Sequence, residues 1–446
     1  MTTISNPETL HQSKDIGFTK FITWIFVLGY FVNVFIWSQS SVAGVPNLHA
    51  INTRMIELII TAPILAITLL TSFSTNPRAI RRFLLGFIAL AGVAIVSYFL
   101  NQDIFNGYFE FGSATRYAET SLLWSVSFLS VVAYSVFWYS RELLLSTFWK
   151  VAQASMVFSL ACFVASYLLS RAFFSYPSYG GGYRLQGILT EPSSWAPVVA
   201  VMIYMSFQRK AYGTLLLTIA VAVLSASGTV LVVMTLSIPI AYFLTSEKVD
   251  RRLAIIGLTG VFIAGSLSFL VTANPDAYLN SSNNLSRGIG KVIVATQSFT
   301  SADGTVSGRT ASAHTTIVDM DASSKQWTGF GPGAVSVYFN AKYPSGPGQV
   351  PVHPNSFFLE ILFDFGYPGL ALLVALTLVS MWKMRVDRAA TFFFVPFIIA
   401  SLVNSASAYE LYKWTALAVL LYGFGFVRRS KFAHFEVDDL SSSTAI

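Results

Sequence analysis

Three side chains beside long apolar runs of the sequence could act on a charged ligand at a membrane surface. Arg184 precedes the run that starts near residue 193, Arg309 lies in a long polar segment, and His353 stands just before the run at 357. An arginine guanidinium keeps its charge and its fork of donors matches phosphate oxygens. Histidine is the usual side chain for moving a proton near neutral pH. These residue types therefore favour a pyrophosphate headgroup and a proton-transfer step.

Taken singly, each of these residues also has a structural interpretation. An arginine at a membrane interface often contacts lipid phosphates or loop carbonyls. His353 is followed by a proline, and such a histidine often caps a helix or closes a turn. A helix that begins directly after it would also aim free backbone N–H groups at an anion. The spacing of the three residues leaves both interpretations open.

The start of the run at 357 carries acidic residues as well. Ser356, Glu360 and Asp364 recur at four-residue spacing, so they share one face of the predicted helix. Acids within a membrane helix are expected to be functional, although an acid in the first turn also complements the helix dipole. Glu360 is the one that we predict to line a binding site.

The elements that position these residues are predicted to be membrane helices. The chain has 446 residues, of which 54% are hydrophobic and only 11% charged. An ordinary soluble domain has about 25% charged residues, so this chain lacks the charge to cover a soluble surface. High hydrophobicity with low charge also excludes intrinsic disorder. The single cysteine, Cys162, excludes a disulfide framework and a cysteine-based metal cluster.

Twelve apolar runs are candidates for membrane helices, each of which needs about 20 residues to cross a bilayer. Threading them alternately places most of the 28 basic residues on one side, and the positive-inside rule then puts both termini in the cytoplasm. The net charge of +7 is thus a topology signal, and no nucleic-acid partner is expected. The runs lie near residues 19–38, 54–73, 83–100, 121–140, 149–170, 193–208, 211–226, 229–245, 253–272, 357–381, 389–406 and 413–427.

The predicted fold class is an all-α polytopic membrane protein of about 12 transmembrane helices with one large extracytoplasmic loop between helices 9 and 10. Loops longer than about 15 residues are usually functional or disordered. This one contains a helix-like stretch, Gly308–Met320, and a glycine-rich turn at 329–333, so we expect a small folded cap. The predicted parts are a cytoplasmic tail without a cleavable signal peptide (1–18), helices 1–9 (19–272), the loop subdomain (273–355), helices 10–12 (356–427) and a second cytoplasmic tail (428–446).

Three segments together resemble the bacterial O-antigen ligase and O-antigen polymerase superfamily. Residues 353–369 read HPNSFFLEILFDFGYPG, residues 307–333 contain Gly308-Arg309 and three closely spaced glycines, and residues 184–192 form an arginine-containing loop before a membrane helix. The layout of helices around one large loop is similar too. The chain departs from the pattern at the link after the seventh helix, residues 225–228, which lacks the arginine that members often have there.

This resemblance implies a glycosyltransferase of the bacterial inner membrane with its active site facing the periplasm. The donor would be an oligosaccharide on undecaprenyl pyrophosphate, and the acceptor a sugar hydroxyl. Direct displacement would invert the anomeric carbon, with no metal or cofactor required. By the same resemblance, His353 is the catalytic residue. The residues implied to bind the pyrophosphate or the sugar are Arg184, Arg309, Glu191, Asn355, Ser356 and Glu360.

The predicted activity is polymerisation of lipid-linked repeat units of an exopolysaccharide, capsule or O-antigen, because the string Glu191-Pro192-Ser193 resembles such polymerases. A ligase that transfers the glycan to lipid A core is the first alternative. A flippase or transporter of lipid-linked sugars is the second, less favoured because the apolar runs carry few charges and the two halves show no similarity. Membrane lipid, a flippase and a chain-length regulator are the other partners that the resemblance implies.

Overall fold

The computed structural model of the protein is mostly helical over the residues that it describes, in agreement with the predicted helical class. Three of its helices, Leu143–Leu168, Gly228–Thr245 and Phe357–Met384, are long and apolar enough to cross a membrane. The residues described are 24, 27, 85, 88–89, 92–93, 95–97, 99–101, 141–170, 173–178, 182–187, 189, 192–225, 227–246, 278, 286, 289–290, 316–331, 334 and 356–403.

Six helices and two strands have defined bounds, and five of the helices match predicted runs to within a few residues. The helix α1 instead begins at Arg141, before the predicted run near 149, and residues 316–322 of the large loop are helical as well. The elements are α1 (Arg141–Leu168), β1 (Ser175–Ser178), β2 (Gly182–Leu185), α2 (Trp195–Gln208), α3 (Tyr212–Leu224), α4 (Gly228–Thr245), α5 (Phe357–Met384) and α6 (Arg388–Val403).

A small antiparallel sheet corrects the purely helical prediction. Strands β1 and β2 pair with Tyr176 opposite Arg184, in the link that the sequence shows to be rich in tyrosine, glycine and proline. Each strand has four residues, which is too short for the period-2 pattern that identifies a strand in a sequence. The part of the chain that the structure describes is therefore mostly helical, with a β-hairpin.

The core of the bundle lies between α1, α2, α3, α4 and α6. Trp195, Met156 and Phe397 are almost completely buried in it, and the ring of Phe148 meets that of Phe393 edge to face at 5.0 Å between centroids. These aromatic and aliphatic contacts join the beginnings of α1 and α6. Buried apolar side chains thus fix the positions of these helices relative to one another.

Cation–π contacts identify one end of this bundle. Arg209, after α2, lies 4.8 Å from the ring centroid of Trp149 near the start of α1. Arg388, at the start of α6, lies 5.0 Å from the centroid of Tyr242 near the end of α4. The beginnings of α1 and α6 and the ends of α2 and α4 therefore share one basic end. The link from α3 to α4 lies at the other end, as alternate threading of the helices predicts.

The helix α5 is broken near its first third, which corrects the prediction of one continuous run over 357–381. Gly366 has φ +67° and ψ −167°, and Pro368 follows it. A proline has no N–H for the carbonyl four residues earlier, and the left-handed φ is one that glycine adopts without cost. The first segment, residues 357–365, therefore departs from the axis of the rest of the helix.

Candidate functional site

Arg184 lies at the link between α3 and α4. It is the third residue of β2, and its Nε donates a hydrogen bond to the carbonyl oxygen of Ser225 at 3.1 Å. Ser225 follows the last residue of α3 and its hydroxyl donates to the Ala222 carbonyl at 2.8 Å. The guanidinium of Arg184 thus lies at the link 225–228, which has no arginine in its own sequence.

The hairpin that carries Arg184 is attached firmly to α1 and α2. The Phe173 N–H donates to the Ser166 hydroxyl of α1 at 2.9 Å, and the ring of Tyr167 meets that of Tyr183 edge to face at 5.2 Å. The indole N–H of Trp195 donates to the Gln186 carbonyl at 2.9 Å. Because these bonds act on both sides of β2, the position of its arginine is fixed by the bundle.

The start of α4 adds positive potential beside this arginine. Ser227 is the N-cap residue of α4, only 5% exposed, and its side chain makes no capping hydrogen bond. The first N–H groups of a helix have no partner within the helix and carry the positive end of its dipole. Arg184 is hydrogen-bonded to Ser225, two residues before this N-cap, so the guanidinium and the helix start lie near each other. Sequence reasoning missed Ser227, whose only signal was its place before a glycine.

Ser356 and Glu360 lie together in the first turn of α5. Ser356 is the N-cap residue, 8% exposed, and its side chain makes no capping bond. The Glu360 N–H donates to the Ser356 carbonyl at 3.0 Å. The predicted sharing of one helix face is confirmed for these two residues, so a hydroxyl and a carboxylate lie one above the other at the start of the same short segment.

Four of the predicted site residues, His353, Arg309, Glu191 and Asn355, lie outside the described residues. Their roles stay predictions. Within the described ranges, no group of three or more histidine, cysteine, aspartate or glutamate side chains could hold a metal ion.

A junction between the large loop and the break in α5 was not predicted. The Phe330 N–H donates to the Phe363 carbonyl at 2.9 Å, and the Gly331 N–H to the Asp364 carbonyl at 2.9 Å. In the opposite direction, the Tyr367 N–H of α5 donates to the Gln326 carbonyl of the loop at 2.7 Å. The rings of Phe330 and Phe363 stack with centroids 4.3 Å apart. The loop is thus bonded to the helix where the helix ladder is interrupted.

Two glycines allow the loop and the helix to approach so closely. A Cβ atom on Gly329 would collide with the Asp364 backbone, and one on Gly366 would collide with the Gln326 carbonyl and the Gly329 nitrogen. Both glycines have positive φ, +65° and +67°. The glycine-rich turn and the glycine of the 353–369 segment, which the sequence presents as separate motifs, are therefore two halves of one contact.

A third element, the predicted helix near 83–100, also reaches this junction. The hydroxyl of Ser97 lies 2.6 Å from the Thr328 carbonyl and 2.8 Å from the Asp364 carbonyl. One turn later, Asn101 accepts a hydrogen bond from Lys325 Nζ at 2.7 Å. Polar residues four apart in an apolar run were the available sequence signal.

Comparison with known proteins finds a family to which part of the chain is similar. Residues 213–374 match the family model described as O-antigen ligase, whereas no curated protein matches the chain. The matched segment contains α3, α4 and the loop–α5 junction, and Arg184, which lies outside it, is hydrogen-bonded to it through Ser225. The resemblance stated from the sequence is confirmed: residues 213–374 are similar to the O-antigen ligase family.

Proposed function

We propose that the protein polymerises lipid-linked polysaccharide repeat units. It transfers a glycan from undecaprenyl pyrophosphate to a sugar hydroxyl of another repeat unit, at the periplasmic face of the bacterial inner membrane. The family match supports an activity of the ligase and polymerase type on lipid-linked oligosaccharides. The observation that carries the proposal is the bond from Arg184 to Ser225, because it attaches the predicted phosphate-binding arginine to the matched segment.

The diphosphate of the donor binds between Arg184 and the start of α4. The guanidinium supplies a full positive charge and planar donors, and the helix start supplies backbone N–H groups. The buried Ser227 hydroxyl is a further donor at the same place. Arg309 completes the charge on the diphosphate, and Glu191, Asn355, Ser356 and Glu360 bind the pyrophosphate or the sugar.

The reaction is a single displacement at the anomeric carbon. His353 takes the proton of the acceptor hydroxyl, whose oxygen forms the new glycosidic bond as the bond from the anomeric carbon to the phosphate oxygen breaks. The electron pair of the broken bond leaves with undecaprenyl pyrophosphate, whose developing negative charge Arg184 and Arg309 stabilise. Attack from the face opposite the leaving group inverts the configuration. No step requires a metal or a cofactor.

The length of α3 suggests at what depth this chemistry occurs. Its 13 residues span about 20 Å at 1.5 Å per residue, whereas the hydrocarbon core is about 30 Å thick. Because α3 starts beside Arg209 and Lys210 at the basic end, its other end stops short of the opposite interface. Irregular backbone is tolerated there when it lines a cavity in the protein. A recess of this kind suits a donor whose diphosphate is held at the membrane surface by a lipid chain.

The test is reconstitution of the purified protein in liposomes with lipid-linked repeat units, with or without lipid A core. We expect a ladder of glycan lengths without the core, and no ladder from the His353→Ala variant. Label that moves to the core alone would contradict the polymerase and establish a ligase. Donor that crosses the bilayer without a new glycosidic bond would instead establish a flippase.

The ligase is the second candidate: the matched family is described as O-antigen ligase, and the match fits a polymerase equally. A ligase and a polymerase share the donor, the diphosphate site and the displacement, and they differ in the acceptor alone. A flippase that delivers the donor and a regulator of chain length are the protein partners that a polymerase in the inner membrane would need.

A further inference from the structure

We infer that Ser97 is a positioning residue, which sets the orientation of the short helix segment 357–365 and thereby of the active-site residues at its start. The inference rests on the proposed function, because Ser356 and Glu360 belong to the proposed site and His353 precedes them by a few residues. It assigns a role in the reaction to the predicted helix near 83–100, for which neither the motifs nor the family match provides one.

The break in α5 leaves carbonyl groups that another element must satisfy. Pro368 has no N–H, so the Asp364 carbonyl loses its partner four residues later. The Phe363 carbonyl loses its partner as well, because the N–H of Tyr367, four residues later, donates to the Gln326 carbonyl at 2.7 Å instead. Buried carbonyls without partners cost free energy. The loop supplies the N–H groups of Phe330 and Gly331 to these two carbonyls.

Ser97 is the point where the loop, the break and a third helix meet. Its hydroxyl is 3% exposed and lies within hydrogen-bond distance of one carbonyl on each side of the junction, Thr328 on the loop and Asp364 on α5. The side chain therefore contacts both partners of the junction from a helix that belongs to neither. The hydroxyl shares its single proton between these two acceptors and so orients the two segments relative to each other and to its own helix.

A second bond supports the same orientation. The Asn101 amide donates to the Ser97 carbonyl at 2.7 Å, and the Asn101 carbonyl oxygen accepts from Lys325 Nζ at 2.7 Å. Lys325 in turn accepts from the Gly329 N–H through its own carbonyl at 2.8 Å. Ser97, Asn101 and Lys325 thus form a polar clamp that joins one turn of the helix near 83–100 to the turn of the loop.

The geometry of the short segment turns a small tilt into a displacement of the site. Residues 357–365 span about 13 Å at 1.5 Å per residue, and the clamp holds the end at Asp364. A tilt of about 5° there would move the start of the segment by about 1 Å, and a misplacement of about 1 Å can lower a rate by about 100-fold. Docking itself does not depend on Ser97, because the Phe330–Phe363 stack and the backbone bonds remain.

The kinetic experiment compares Ser97→Ala with Ser401→Ala in the reconstituted full-length protein. Ser401 is equally buried, and its hydroxyl bonds to the Phe397 carbonyl of its own helix, which makes it a matched control. We expect S97A to lower kcat by about 10- to 100-fold at an almost unchanged KM for the donor. S401A should keep wild-type kcat, and Ser97→Thr, which keeps the hydroxyl, should recover most of the rate. Wild-type kcat for S97A, or an effect of S401A as large, would overturn the inference.

Hydrogen–deuterium exchange tests the clamp without any assumption about the reaction. S97A should speed exchange in peptides that contain Phe330, Gly331 and Tyr367, and S401A should not. If the wild-type protein has no transferase activity but this difference is found, the proposed function fails and the clamp stands. If S97A exchanges like the wild type, the inference fails whatever the activity. Should S97A not accumulate in membranes, Lys325→Met at a half-buried position replaces it. We expect Lys325→Met to lower kcat and to speed exchange in the same peptides. Wild-type kcat or wild-type exchange for this variant would overturn the inference.

Discussion

At the scale of single residues, the proposed diphosphate site depends on one charged group and one neutral group. Arg184 is held by the Ser225 carbonyl, and Ser227 is buried at the start of α4 without capping it. A helix start can bind an anion without a second side-chain charge, which explains how the link 225–228 can serve without an arginine. The two residues should therefore respond differently to substitution.

Replacing Arg184 by lysine should lower transfer activity by about 100-fold, because a lysine ammonium cannot keep both the bond to Ser225 and a planar set of donors on the diphosphate. The rate is measured with lipid-linked repeat units in liposomes. Arg209→Lys is the matched control, since Arg209 contacts Trp149 at the opposite end of the bundle and should leave the rate unchanged. Equal rates for R184K and the wild type would exclude a diphosphate role for this guanidinium.

Ser227→Ala should raise the KM for the donor by about 10- to 100-fold while leaving stability almost unchanged. The hydroxyl does not cap α4, so its removal costs the fold little, but a hydrogen bond to a charged group contributes about 1.5–3 kcal/mol. The control is Ser237→Ala in the same helix, where the buried hydroxyl has no hydrogen-bond partner among the residues that the structure describes. Thermal melting and donor titration are measured for both. A donor KM that is the same in the two variants would remove Ser227 from the site.

At the scale of elements, the junction of the loop with α5 shows how two sequence motifs become one contact. The glycine-rich turn and Gly366 are both visible in the sequence, but the break at Gly366 and its pairing with the turn depend on contacts between distant parts of the chain. The same is true of the helix near 83–100, whose Ser97 bonds to residues far along the sequence. The junction should be more sensitive to added atoms than a regular helix is.

Gly366→Ala should destabilise the protein by about 2–5 kcal/mol. A residue with a side chain pays about 1–2 kcal/mol in the left-handed region, and the new Cβ would be forced against the Gln326 carbonyl, for which overpacking costs about 1–3 kcal/mol. Gly213→Ala is the control, because its Cβ meets no atom within 4 Å and it lies inside α3, where alanine is the better helix former. Thermal unfolding in detergent checks this. A G366A melting temperature equal to that of G213A would contradict the close approach.

The helices could be predicted from the sequence because long apolar runs give a strong local signal. Helices α2 to α6 begin within a few residues of the predicted runs. The hairpin could not be predicted, because strands of four residues carry little pattern, and the break in α5 was masked by the apolar residues on either side of Gly366. Of the predicted site residues, Ser356 and Glu360 lie at the start of α5, as the sequence predicted. Arg184 lies in β2, where the sequence predicted a loop. The bond to Ser225 and the Ser97 junction needed the packed structure.

At the scale of the whole molecule, the bundle has two chemically different ends. Arg209, Lys210 and Arg388 lie at one end, two of them over aromatic rings, whereas the hairpin and the start of α4 form the other. Basic residues are retained on the cytoplasmic side during insertion. A lipid-linked donor bound at the Arg184 end would then be used on the periplasmic side. The orientation of the bundle is therefore a part of the proposed function that can be tested without substrate.

Cysteine labelling gives that test. In a Cys162→Ala background, Lys210→Cys and Asp321→Cys each place one thiol at an exposed position, the first at the basic end and the second on the large loop. A maleimide that cannot cross membranes should label the cysteine at 321 in intact spheroplasts and the cysteine at 210 only after lysis. Labelling of the cysteine at 210 in intact spheroplasts, with the cysteine at 321 protected, would show that the protein has the opposite orientation in the membrane. The proposed site would then face the cytoplasm, and a periplasmic polymerase or ligase would be excluded by topology alone.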